Sequence, residues 1–266
     1  MSNIKIGLSS SALYPSPVSK TFEVASRLGY DGVEVMVTHS QNSRGENQLQ
    51  AMIQKYQIPI LSLHAPNLLL TSFVWGRSHH NKMFQTVELA QKLNVDTIVV
   101  HPPLRAERRH AKNFLENVAE LERESGLTVA VENMFPWRIR GKEARIYAPT
   151  WDEITEKASH LTVDFSHAAL SGLNVLEIAT EFKDKIAHIH LCDGRIHDGT
   201  VPRTKDEHLL PGYGEQPIAQ TLQFLNNNGW TGNIVAEVNL RHLKNPQAKL
   251  KALKETLDYT RQFIAE

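Results

Sequence analysis

Along the chain, the spacing of apolar residues switches repeatedly between a period of 2 and one near 3.6. The shorter period and the brief apolar runs predict strands over residues 4–8, 32–37, 59–63, 97–100, 127–131, 161–163, 186–191 and 233–238. The longer period predicts helices over residues 18–28, 49–56, 80–93, 111–124, 151–157, 175–182, 218–227 and 247–264. Strand and helix therefore alternate in units of about 30 residues, which implies parallel strands joined by right-handed crossovers. Eight such units close into an α/β (β/α)8 TIM barrel, a single domain over residues 1–266. The alternative is an open doubly wound sheet. That fold normally carries a glycine-rich phosphate loop after its first strand, and Ser9-Ser10-Ser11-Ala12 is not one. The longest irregular stretches, residues 133–149 and 192–216, each follow a strand and so belong over the mouth of the barrel.

Composition changes this picture little. Hydrophobic residues make up 41% and charged residues 22%, the balance of a soluble globular chain. No run approaches the ~18 apolar residues of a membrane helix. Met1-Ser2-Asn3 leads straight into a strand, without the basic and apolar regions of a secretory leader. The lone Cys192 excludes an internal disulfide and fits a reducing, cytoplasmic setting. Lys plus Arg and Asp plus Glu both total 29, a neutral sum that argues against broad nucleic-acid binding but not against a local basic patch. A homo-oligomer is left open. The 13 histidines are many for 266 residues, and they are the first sign of chemistry.

That sign sharpens at the carboxyl ends of the strands, where barrels carry their active sites. Successive strands end in Leu63-His64, Val100-His101, Val131-Glu132-Asn133, Val163-Asp164-Phe165-Ser166-His167, His188-Ile189-His190 and Ala236-Glu237. The loop after the seventh strand adds Asp206-Glu207-His208 and then Gly212-Tyr213-Gly214. A single histidine or glutamate at a strand end is most often a loop cap. Recurrence on consecutive strands is different, because these side chains converge on the barrel axis. A mixed set of imidazoles and carboxylates there suits a divalent ion. His188 lies on the same strand face as His190, one layer deeper, and either supports a ligand or is a core histidine. His79, His80 and His110 near helix starts, His160 before a strand, and the loop residues His197 and His242 read as structural.

With these segments the chain resembles the xylose-isomerase-like TIM-barrel superfamily. That group includes sugar and sugar-phosphate isomerases and epimerases, inosose dehydratases, and AP endonucleases of the endonuclease IV class. The resemblance runs from Leu63-His64-Ala65-Pro66 through Val100-His101-Pro102, Asp164-Phe165-Ser166-His167-Ala168 and His190-Leu191-Cys192-Asp193 to Ala236-Glu237. It implies shared metal ligands at Glu132, Asp164, His190 and Glu237. For the endonuclease IV class it implies further ligands at His64, His101, His167, Asp206 and His208, and two or three zinc ions. The ketose 3-epimerases instead hold one ion, usually manganese, and the histidine at position 167 touches substrate. They also keep a glutamate six residues beyond the first ligand, where this chain has Arg138.

Two chemistries follow from the same residues. The site would hold one to three ions, zinc or manganese; in an isomerase or epimerase the metal would stabilise an enediolate while Glu132 and Glu237 move the proton. His64, His101, His167, Arg138 and Arg195 would then bind substrate. In a phosphodiesterase acting on abasic DNA, a multi-zinc site would activate water for in-line attack. A metal-dependent dehydratase is a further alternative, and a non-catalytic metal-binding module ranks last. Arg138, Arg140, Lys142, Arg145, Arg195, Arg203, Lys205 and Arg241 line the active-face loops, which points to a small anionic sugar-like substrate. The loops at residues 9–17 and 38–47 hold one arginine between them, Arg44, and so lack a duplex-gripping set.

Overall fold

The computed structural model describes residues 4–67, 71, 73–140, 142–196 and 205–264. His197 and Arg203 lie outside the described residues. Strands β1 (Lys5–Ser9), β2 (Gly32–Met36), β3 (Ile60–His64), β4 (Thr97–Val100), β5 (Thr128–Glu132), β6 (Leu161–Asp164), β7 (Ile186–Leu191) and β8 (Asn233–Ala236) close into one barrel. Every neighbouring pair is parallel, and β8 closes on β1 with Lys5 opposite Asn233. The expected helices follow their strands, with the longest at Arg108–Ser125 and Pro246–Ile264. The α/β barrel inferred from the hydrophobic pattern is therefore the fold of this chain.

The amino end of the barrel is plugged by Leu61. A Cβ on Gly32 would lie 2.4 Å from its Cγ, and one on Gly7 would lie 3.1 Å from its Cδ1. Glycine on β1 and β2 thus lets a leucine from β3 fill the axis. One layer up, the interior turns polar: Ser9, Glu34 and Ser62 sit side by side across β1, β2 and β3, all fully buried. Among the described residues no helix is long and apolar enough to cross a membrane.

Short helical turns at Ser10–Leu13 and Gln41–Arg44 lie in the expected loops, and two other departures from the periodicity reading bear on the site. Phe165–Leu170 is a helix that starts directly from β6, because Asp164 caps it by accepting the backbone N–H of His167 at 2.7 Å. The irregular stretch at 133–149 contains an antiparallel hairpin of Trp137–Ile139 and Lys142–Ala144, with Arg140 at a positive φ of 53° in its turn.

Candidate metal centre

At the carboxyl end of the barrel, Glu132 is the hub. Its Oε2 lies 2.8 Å from Nε2 of His101 and 3.3 Å from Nε2 of His64, and its Oε1 lies 3.1 Å from Nδ1 of His167. His190 turns Nδ1 toward three carboxylates: Glu237 at 3.2 Å, Glu132 at 3.4 Å and Asp164 at 3.7 Å. Beyond Asp164, the Asp206 carboxylate lies 3.3 Å from Nε2 of His167 and 2.8 Å from Nε2 of His208. The expected ligands on β3 to β8 and on the loop after β7 are thus brought together.

The ring tautomers are set from behind. His64 donates Nδ1–H to the Ala65 carbonyl (3.0 Å), His167 to that of Asn133 (2.9 Å) and His208 to that of Glu237 (2.7 Å). In the neutral ring each bond places the hydrogen on Nδ1, so that Nε2 is the nitrogen a cation can take once it gives up its proton. His208 holds this pose at a positive φ of 41°, a backbone strain of the sort that collects at functional sites.

The donor set fits a divalent cation. Metal–ligand bonds of about 2.0–2.2 Å place tetrahedral ligand atoms roughly 3.3–3.6 Å apart. The contacts around Nδ1 of His190 bracket that range, at 3.2 to 3.7 Å. Nδ1 of His190 and Oε2 of Glu237 are buried, and neither is in a hydrogen bond. Two orphaned donor atoms side by side suit a shared ion. Further groupings with metal-ligand spacing include His64 with His101 and Glu132, His167 with Asp206 and His208, and Glu34 with His188 and His190.

Electrostatics agree with this crowding. Burial raises the Glu132 carboxyl, but His101 and His190 outweigh it and hold the pKa well below the usual range. Burial likewise opposes charge on His190, yet Glu237, Glu34 and Glu132 together drive its pKa well above the ordinary value. His167 and His208 rise in the same way beside Asp164 and Asp206. His101 is the exception: burial lowers it, and Glu132 only partly offsets that.

The two arginines expected to hold substrate each pair with a glutamate outside the ligand set. Arg138 pairs with Glu143 across the hairpin at 3.0 Å. Arg195 is exposed and pairs with Glu207 at 2.6 Å. Each therefore already faces a carboxylate.

Sequence reasoning missed three contributors. Glu34 on β2 lies beneath His190, and its signal was an acid between two valines in a barrel strand. Cys192 places Sγ 3.6 Å from Oδ1 of Asp164, and burial pushes its thiol up to about 12. Asp193 is a loop anchor: its carboxylate accepts the backbone N–H groups of Gly194, Gly212, Gly214 and Gln216. A Cβ at Gly214 would lie 2.3 Å from that carboxylate, so the Gly-x-Gly is the wrapping of the loop around Asp193.

The family described as xylose isomerase-like TIM barrel matches residues 22–263. An uncharacterised protein of Mycobacterium tuberculosis (strain H37Rv) is 37% identical over 98% of both chains. A fructoselysine 3-epimerase of Escherichia coli O157:H7 is 22% identical, over 87% of this chain and 89% of its own. The solved IOLI protein with a bound zinc atom superposes with a TM-score of 0.73 at 18% identity, covering 98% of this chain and 100% of that one.

Proposed function

The chain belongs to the xylose isomerase-like TIM-barrel family, and from that premise we propose that it is a divalent-metal-dependent isomerase or epimerase of a sugar-like substrate. The observation that carries this reading is the pair Glu132 and Glu237, whose carboxylates flank Nδ1 of His190 at 3.4 and 3.2 Å. Glu132, Asp164, His190 and Glu237 would hold zinc or manganese. A bound cation supplies Lewis-acid stabilisation of the charge left when a carbon gives up its proton. Glu132 and Glu237 are the groups that take and return that proton. His64, His101 and His167 border Glu132 and would orient substrate hydroxyls. The similarity to a fructoselysine 3-epimerase supports a sugar as substrate class. Arg138 and Arg195 would exchange their glutamate partners for a phosphate or carboxylate on it.

A second reading has its own observation. The His64–His101–Glu132 and His167–Asp206–His208 groupings flank the central ligands, as a multi-zinc phosphodiesterase needs. Incubation in D2O with phosphorylated and acidic ketoses separates the two. The isomerase reading expects deuterium at a substrate carbon, seen by proton NMR. Zinc-dependent nicking of abasic DNA without any such exchange replaces it with the phosphodiesterase.

A further inference from the structure

His64, His167 and His208 are fixed by backbone carbonyls at Nδ1 and present Nε2 to the site. His190 is reversed. Its Nδ1 faces Glu132, Asp164 and Glu237, and its Nε2 faces Glu34, with the two carboxylate oxygens at 3.2 and 3.3 Å. Those oxygens are themselves held. Ser62 donates its hydroxyl to Oε2 at 2.9 Å, and Ser9 donates to Oε1 at 3.3 Å. His188, one layer below His190, brings Nε2 to 3.0 Å from Oε2. Glu34, Ser9, Ser62, His188 and His190 are all buried.

A carboxylate in a barrel core has a high desolvation cost, so it must be compensated on every side. Here the compensation comes from the two strands beside its own, through Ser9 on β1 and Ser62 on β3, and from the histidines of β7. The arrangement also has a direction. A neutral imidazole carries one N–H; Glu34 can only accept it, so in the ring that binds a cation the hydrogen belongs on Nε2 and Nδ1 is free for the ion.

We infer that Glu34 is the positioning residue of the centre: it takes Nε2–H of His190 and thereby presents Nδ1 to the cation held with Glu132, Asp164 and Glu237. Glu34 does for His190 what main-chain carbonyls do for the other three rings. The inference rests on the metal-binding part of the proposed function and holds for an isomerase or a hydrolase alike.

The test compares the full-length wild-type protein with Glu34→Gln, Glu34→Leu and Ser62→Ala. Zinc affinity is measured by competition with a chelating dye, His190 by ring-nitrogen NMR, and the fold by melting of the metal-free protein. Glu34→Leu should weaken zinc by about 10–100-fold, the usual effect of losing such an outer partner. His190 should then lose its single Nε2–H form. Glu34→Gln retains an acceptor oxygen, so it should fall between wild type and Glu34→Leu, at unchanged ion count. If Glu34→Leu does not fold, Glu34→Gln and Ser62→Ala carry the test, each weakening zinc without lowering the metal-free melting temperature by more than a few degrees. Wild-type affinity and an unchanged His190 tautomer in Glu34→Gln and Glu34→Leu overturn the inference. So does loss of one whole ion with the rest bound as before, which would make Glu34, His188 and His190 a separate ion site. A wild-type protein that binds no zinc defeats the metal reading itself, whereas normal wild-type binding with unaffected variants defeats Glu34 alone.

Discussion

Nδ1 of His190 and Oε2 of Glu237 lie 3.2 Å apart, both buried and both without a hydrogen bond. A ring nitrogen and a carboxylate oxygen at that distance would normally share a proton along a straight line. Here the two atoms make no hydrogen bond, and Glu132 and Asp164 approach the same ring nitrogen at 3.4 and 3.7 Å.

The first prediction follows from that arrangement. Asp164→Asn and Glu237→Gln preserve shape but replace anionic ligands with neutral amides, which bind divalent cations poorly. Each should weaken zinc by more than about 100-fold in dye competition, beyond the loss for an outer partner. Wild-type affinity in both variants would remove these residues from the ligand set.

A second prediction concerns pH. In the metal-free protein, His167, His190 and His208 have pKa values well above the ordinary one, because buried carboxylates outweigh burial. A raised folded-state pKa contributes stability in full below the unfolded value of about 6.5 and loses it as pH climbs through the folded value. Thermal melts in chelator should therefore fall from near pH 6.5 upward. Zinc must displace these protons, so the gain in melting temperature on adding zinc should grow over the same range. A zinc-induced gain that shrinks with rising pH would show that the imidazoles are not deprotonated for binding.

The third prediction is structural. Gly214→Ala puts a methyl group 2.3 Å from Oδ1 of Asp193 and 2.6 Å from the Gly194 carbonyl, and backbone cannot give way as a flexible side chain can. The expected loss is on the order of 1–3 kcal/mol, the range for overpacking. Because this loop leads back from Asp206 and His208, the metal-free melting temperature should fall and zinc affinity should drop with it. An unchanged melt would mean the loop is not anchored by Asp193.

Much of this was legible from residue order alone. The alternation of periods identified each barrel strand because a parallel barrel needs its apolar runs in register with its helices. The candidate ligands were legible because strand ends are fixed points, so His64, His101, Glu132, Asp164 and His190 align from their order in the sequence. Glu34 was not, because it lies mid-strand and its partners His188 and His190 come from a strand 156 residues away in sequence. The partners of Arg138 and Arg195 were equally hidden. Glu143 is brought opposite Arg138 by a hairpin turn, and Glu207 reaches Arg195 from across a loop. Neither contact leaves a hydrophobic period to read.

Arg138 supplies a fourth prediction. If its guanidinium leaves Glu143 to bind an anionic substrate group, Arg138→Ala should raise KM more than it lowers kcat, the signature of lost uniform binding. Steady-state kinetics on a phosphorylated and a neutral form of the same sugar would check this. Equal KM changes for both forms would assign Arg138 to the hairpin alone.

Whether the carboxyl ends of β3 to β8 hold a divalent cation is settled by emission spectroscopy on purified wild-type protein, dialysed free of loosely bound ions. At least one tightly bound zinc or manganese per chain is expected, removed by a strong chelator and restored by adding the ion back. A folded chain that carries no metal and takes up none from a zinc- or manganese-containing buffer would contradict this.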